Sequence, residues 1–283
     1  MKISIFVNLK NEYVKNLTKD IISVLSQFCE KIYMSEKYRD DFSDSVCFID
    51  KGELMSSCDL AISIGGDGTT LATAKQASFY NKLVLGINAG RLGFMSGLEK
   101  DELELLNKLS TGEYSVDERM MLKASVYKDD EVISEYHCLN DAVITRGGLA
   151  RLIDISVMSE GRLATSTRAD GMIVSTPTGS TAYSMAAGGP VLSPDNSCFV
   201  VTPICPHSLL NRSIVFSSDK ELTLFVENDV YNNSFLAIDG QESIPIDNGA
   251  RIVISKSEYS AKLIKIKPDN FYEILSKKII ERR

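Results

Sequence analysis

The residues most able to do chemistry lie in the segment Ile62-Ser63-Ile64-Gly65-Gly66-Asp67-Gly68-Thr69-Thr70, where an apolar run ends in three glycines around one carboxylate. Glycine permits turn conformations closed to other residues, and it lacks the Cβ that would hold a phosphate away from the backbone. N–H groups in such a turn, and at the start of a helix after it, attract an anion. Thr69 or Thr70 is a candidate cap for that helix. Asp67 needs its own explanation, because a carboxylate among phosphates is repelled unless it meets a metal or accepts a hydroxyl proton. Both tasks belong to phosphoryl transfer. The plainer alternative is an ordinary strand-to-helix turn with an Asp cap. No Gly-Lys-Ser/Thr follows, so the turn is not a P-loop. The turn after the first apolar run, residues 8–12, has no glycine, so a Rossmann dinucleotide fingerprint is absent too.

Further candidates follow in chain order. Residues 86–94 form a glycine-rich loop ending in Phe94, an aromatic fit either to meet a ligand or to anchor the loop in the core. Asn140 and Asp141 offer donors and acceptors suited to sugar hydroxyls and a purine edge, although such a pair is commonly just a turn. Arg168-Ala169-Asp170-Gly171 leads through an apolar run into residues 175–184, Ser-Thr-Pro-Thr-Gly-Ser-Thr-Ala-Tyr-Ser, and on to Gly188-Gly189-Pro190. Small hydroxylated residues allow close approach there, and Tyr183 provides a flat face for a base. Residues 203–209, Pro-Ile-Cys-Pro-His-Ser-Leu, and Asp239-Gly240-Gln241 complete the set. His207 and Cys205 do not read as a nucleophile or metal pair, because no second His lies near them in sequence.

Taken alone, Gly-Gly-Asp-Gly-Thr resembles the motif shared by NAD kinases, diacylglycerol and sphingosine kinases and phosphofructokinases. The later segments, from Gly86 through Gln241, are similar to NAD kinases in particular. That resemblance implies transfer of a phosphoryl group to the adenosine 2′-hydroxyl of NAD, with Asp67 as general base. It implies dinucleotide contacts from Gly68, Phe94, Asn140, Asp141, Arg151, Arg168, Asp170, Thr178, Thr181, Ala182, Tyr183, Ser184, Ala186 and Gln241. It also implies ATP or polyphosphate as donor, Mg²⁺ or another divalent cation carried with the nucleotide, and a homodimer or homotetramer with shared active sites. Relatives often carry a hydroxyl residue where this chain has Ala186, which removes one hydrogen bond to adenine, worth ~1 kcal/mol. A large charged residue at the position of Arg168 goes with preference for NAD over NADH, either by shape or through pairing with a carboxylate such as Asp170. A lipid kinase would need an apolar acceptor slot, against which the Thr-Ala-Tyr-Ser segment argues. A non-catalytic NAD(P) sensor would have no use for Asp67.

These residues need elements to hold them. Residues 2–7, 46–49, 60–64 and 83–87 read as buried strands. Apolar residues at 14, 17, 21, 24, 25 and 28 have helical spacing, and further helices are expected after Thr69 and over 101–109. This alternation predicts an α/β domain with a parallel sheet over residues 1–112. From 113 to 266, short β-branched runs separated by turn residues predict a β-rich domain. Residues 267–283 contain a helical pattern expected to return to the first domain.

Composition sets bounds. The chain has 283 residues, 44% apolar and 24% charged, with a net charge of −7. An acidic balance argues against a general nucleic-acid binder, and no apolar run reaches the ~20 residues that span a bilayer. The first seven residues read as a strand and not as a signal, so a cytoplasmic location is expected. Six cysteines without CxxC spacing read as reduced thiols, mostly in the core.

Overall fold

The computed structural model describes residues 1–42, 45–90, 92–148, 152–208, 211–227, 234–247, 249–268 and 271–281. In chain order the first elements are β1 (Lys2–Val7), α1 (Glu12–Leu25), β2 (Lys31–Ser35), β3 (Cys47–Ile49), α2 (Leu54–Ser57), β4 (Leu60–Gly65), α3 (Asp67–Ser78), β5 (Leu83–Asn88), β6 (Leu98–Glu99) and α4 (Lys108–Thr111). There follow β7 (Ser115–Lys128), β8 (Glu131–Cys138), β9 (Asp141–Arg146), β10 (Ile153–Ser159), β11 (Arg162–Ala169) and β12 (Gly171–Ser175). The last are α5 (Tyr183–Ala186), β13 (Cys198–Ile204), β14 (Ile214–Ser217), β15 (Leu222–Glu227), β16 (Ser234–Ile238), β17 (Glu242–Ile246), β18 (Arg251–Lys265) and α6 (Phe271–Glu281).

The chain forms two compact units, residues 1–118 with 261–283, and residues 119–260. The sequence pattern placed the divisions at 112/113 and 266/267. They shift because β7 and β18 are continuous strands through which the chain passes from one unit to the other.

In the first unit the sheet runs β3-β2-β1-β4-β5, parallel throughout, with the end of β18 parallel to β5 through Lys262 and Leu83. Strand β1 is followed on one side by β2 and paired on the other with β4, so the chain direction across the sheet switches between them. The carboxyl ends at such a point leave a crevice. Helix α1 is amphipathic. Asn11 caps it by accepting the Val14 N–H at 3.0 Å, and Val14, Leu17, Ile21, Ile22 and Leu25 are buried. They pack with Ile3, Ile5, Ile62, Ile64, Leu85 and Ile87 of the strands. The helix expected over 101–109 is instead a 3-10 turn, Leu103–Asn107, followed by the single turn α4, which ends at Gly112 with φ +74°.

In the second unit one antiparallel sheet has the order β14-β13-β12-β9-β16-β17. Antiparallel pairs β11-β10-β15-β18 and β7-β8 form the other layer. Ile144, Met172, Val174, Phe199 and Leu236 of the first sheet share a core with Leu122, Ile155, Val157, Leu224 and Ile252 of the second. This is a β-sandwich core. All six cysteines are free thiols, with Cys58 and Cys138 buried but Cys47 and Cys205 exposed, so two lie outside the core expected for them.

Candidate active site

Helix α3 begins at Asp67, with Gly66 as N-cap and no side-chain cap. Thr69 and Thr70 are therefore inside the helix, a correction to their reading as caps. Thr70 is buried and its hydroxyl lies 2.9 Å from that of Ser63 on β4, which ties the helix to the strand. The Asp67 carboxylate is held by the loop after β5. The Phe94 N–H donates to Oδ2 and the Met95 N–H to Oδ1, each at 3.1 Å. A Cβ on Gly93 would lie 2.6 Å from Asp67 Oδ1, so this approach requires glycine. Lys278 of α6 donates to Asp67 Oδ2 at 3.0 Å, and the Phe94 ring packs on Phe271 with centroids 6.0 Å apart. Helix α6 thus returns to the first unit, as expected.

The crevice between β1 and β4 is a cleft of about 600 Å³. Gly66 and Gly68 line it on one side and Lys10, Lys37 and Lys51 on others. The first N–H groups of α3 have no intrahelical acceptor and no capping side chain, so this end of the 12-residue helix carries partial positive charge.

The second unit assembles the other candidates. Asp239 stands at the end of β16 with φ +51°. Its carboxylate accepts the N–H groups of Leu139, Asn140 and Asp141 at 3.2, 2.8 and 3.2 Å, which fixes the turn leading into β9. Thr176 holds the same turn from the end of β12, its N–H donating to the Asn140 carbonyl at 2.8 Å and its hydroxyl to the Leu139 carbonyl at 2.6 Å. Gly179 packs directly on the Asn140 carbonyl, where any Cβ would clash. Asp141 is buried, and burial first, with the like charge of Asp239 second, pushes its carboxyl up from 3.8 to about 7. The hydroxylated stretch is mostly inward. Thr178 is buried and accepts from Arg119 Nη1 at 3.3 Å, and Ser184 is buried with its hydroxyl 3.1 Å from that of Thr202. The Tyr183 ring, by contrast, is 47% exposed. Thr181 and Ala182 are half-buried, and Ala186 and Gln241 are exposed.

Asp170 lies in the turn between β11 and β12 and accepts from Arg146 Nε at 2.6 Å. Arg168 pairs with a nearby carboxylate, one of the two alternatives left open, but the partner is Asp154, Nε to Oδ1 at 2.9 Å, and not Asp170. The reason is register: β10 and β11 place Asp154 directly opposite Arg168. Arg151, Arg91 and Leu209 lie outside the described residues.

Comparison with known proteins decides the family. Residues 3–114 match the ATP-NAD kinase N-terminal domain and residues 139–266 the ATP-NAD kinase C-terminal domain. The NAD kinase of Natranaerobius thermophilus is 34% identical over 278 residues, 98% of this chain and 97% of that one. The chain belongs to the NAD kinase family. The NAD kinase of Carboxydothermus hydrogenoformans is 42% identical over 230 residues, 81% of this chain and 82% of its own. Among solved structures, an NAD kinase from Archaeoglobus fulgidus in complex with ATP matches with TM-score 0.74 and 25% identity, covering 99% of this chain and 98% of that one. Yeast NADH kinase complexed with NADH has TM-score 0.86 at 23% identity, covering 96% and 85%, a likeness of fold.

Membership makes this chain a phosphotransferase, and its geometry adds residues that sequence reasoning missed. Asp239 was noted only as part of a motif, yet it orders the Asn140-Asp141 turn. Arg146, the partner of Asp170, has no motif around it. Lys278 lies 211 residues from Asp67 in sequence. The available signal was its place seven residues after Phe271, two turns along one helix face.

Proposed function

We propose that the protein phosphorylates the adenosine 2′-hydroxyl of NAD, with ATP as donor. The observation that carries this reading is Asp67: a carboxylate fixed by two backbone N–H groups at the start of α3, beside a lysine-bearing cleft at the switch point of a parallel sheet. The cleft suits the donor phosphates, with turn N–H groups and Lys10, Lys37 and Lys51 as counter-charges. The 2′-oxygen attacks the γ-phosphorus in line, and the charge spread over the equatorial oxygens meets the N–H groups of the turn. Asp67 receives the hydroxyl proton. Asn140, Asp141, Arg168, Asp170, Thr181, Ala182, Tyr183 and Gln241 hold the dinucleotide, with Tyr183 stacked on adenine.

Among the described residues no three His, Cys, Asp or Glu side chains converge on a metal site. The reading includes a divalent ion such as Mg²⁺ carried in on the nucleotide, an ion that keeps several of its waters and takes few protein ligands. Such an ion would supply positive charge to the donor phosphates, alongside the turn N–H groups and Lys10, Lys37 and Lys51. No helix among the described residues is long and apolar enough to cross a membrane. A cytoplasmic location, where NAD and ATP are both at hand, is part of the proposal. The exposed Tyr183 supports a homo-oligomer in which neighbouring subunits complete the dinucleotide site.

The test is direct. Purified protein is incubated with NAD, ATP and Mg²⁺, and NADP is measured with an NADP-specific dehydrogenase; a parallel arm replaces ATP with polyphosphate. Asp67→Asn should lower kcat by ~10²-fold or more, with a smaller change in NAD binding. Absence of NADP in both arms refutes the activity, and near-normal turnover of the Asn variant removes Asp67 from the mechanism.

A further inference from the structure

We infer that Lys278 is a positioning residue for the phosphoryl transfer, one that orients Asp67 and cancels its charge where the donor phosphates approach. The inference rests on reading Asp67 as the group that receives the hydroxyl proton.

A carboxylate has about four acceptor sites, two on each oxygen. At Asp67, Oδ2 accepts both the Phe94 N–H at 3.1 Å and Lys278 Nζ at 3.0 Å. Among the described residues Oδ1 accepts the Met95 N–H alone. Oδ2 is thus saturated, and one site on Oδ1 remains for an incoming hydroxyl. Lys278 need not leave for that bond to form.

Lys278 is itself held in place. Its Nζ lies 3.9 Å from the centroid of the Phe94 ring, and its side chain is 16% exposed. Phe271, on the same face of α6, packs against that ring. The ammonium is therefore fixed by a cation–π interaction and a charge-assisted hydrogen bond together. Helix α6 delivers a positive charge to the carboxylate at the point where it would otherwise repel phosphate. In the reaction the acceptor oxygen bonds to the γ-phosphorus as the bridging oxygen leaves with ADP. The hydroxyl proton passes to Asp67 Oδ1, and Lys278 neither gives nor takes a proton.

The experiment is steady-state kinetics of NADP formation by Lys278→Met, Lys278→Arg and the exposed neighbour variant Lys277→Met. Methionine keeps the stem over Phe94 and removes the charge. Lys278→Met should lower kcat by ~10-fold or more, the scale expected when one charge-assisted hydrogen bond is removed from the transition state, while KM for NAD stays within ~3-fold. Lys278→Arg should recover most of kcat, and Lys277→Met should match wild type. Circular dichroism checks folding, and if the Met variant is unfolded, Lys278→Gln is judged by the same split. Wild-type kcat without the charge overturns the inference. So does an equal loss in the Arg variant. A lower KM for NAD with undiminished kcat also overturns it, and shows instead that Lys278 competes with the acceptor. Asp67→Asn in the same assay separates the two readings: an inactive Asn variant beside an unaffected Lys278→Met refutes the role of Lys278 alone.

Discussion

Replacing Asp141 with Asn should make the protein more stable at alkaline pH and leave it nearly unchanged at acid pH. Asp141 is 4% exposed at the start of β9, and its carboxyl is pushed from 3.8 to about 7, by burial first and by the charge of Asp239 second. In the unfolded chain it titrates near 3.8. Between about pH 4 and pH 7 the folded protein therefore holds a proton that the unfolded chain has lost, and stability falls as pH rises through that window. A shift of about three units, at about 1.4 kcal/mol per unit, corresponds to roughly 4 kcal/mol lost by pH 8. Asn is neutral at every pH and nearly the same shape, so the variant escapes this loss. The assay is urea unfolding followed by circular dichroism at pH 5, 6, 7 and 8, with the gap between variant and wild type as the readout. The gap should open between pH 5 and pH 7 and level off by pH 8. Parallel profiles for the two proteins would show that Asp141 carries no extra proton in the folded state, and that burial does not control its ionisation.

Two further substitutions test the dinucleotide side. Tyr183→Ala should weaken NAD binding by ~5- to 150-fold, because stacking a base on an exposed ring is worth ~1–3 kcal/mol; titration calorimetry on the folded variant checks this, and unchanged affinity removes the ring from the site. Arg168→Gly should narrow a wild-type preference for NAD over NADH, chiefly by improving kcat/KM for NADH. Arg168 is already neutralised by Asp154, so its bulk and not a free charge would set the preference; an unchanged ratio in paired titrations counts against it.

Some of this molecule was legible in its sequence and some was not, for identifiable reasons. Strands β1, β4, β5 and β12 are short runs of buried apolar residues, and their pattern alone locates them. Strand β11, Arg-Leu-Ala-Thr-Ser-Thr-Arg-Ala, is largely exposed and has no apolar run to mark it; it is a strand because β10 pairs with it. Likewise β18 continues past its apolar start through Lys256 and Ser257, since it pairs first with β15 and then with β5. Among the functional candidates, Asp67 was visible because glycines surround it. Asp239 was visible as part of its motif but its task was not, and Lys278 was not singled out, because their partners lie 98 to 211 residues away in sequence.

The motif carboxylates show why such residues cannot be ranked by type. Four aspartates stand in the motifs, Asp67 in the first unit and Asp141, Asp170 and Asp239 in the second, and each has its charge handled by different means. Asp170 has a guanidinium, from Arg146. Asp239 has three backbone N–H groups in one turn. Asp67 has two N–H groups and the Lys278 ammonium, with one lone pair open on Oδ1 among the described residues. Asp141 is buried against a like charge, which pushes its carboxyl up to about 7, so it carries a proton below that pH. A protonated carboxyl can donate a hydrogen bond to a sugar oxygen or a purine nitrogen, which an ionised one cannot. Asp67 and Asp170 both combine ionic compensation with acceptor capacity, and it is the place of Asp67, at the start of α3 beside the lysine-bearing cleft, that suits it to take a proton from an alcohol beside a phosphate.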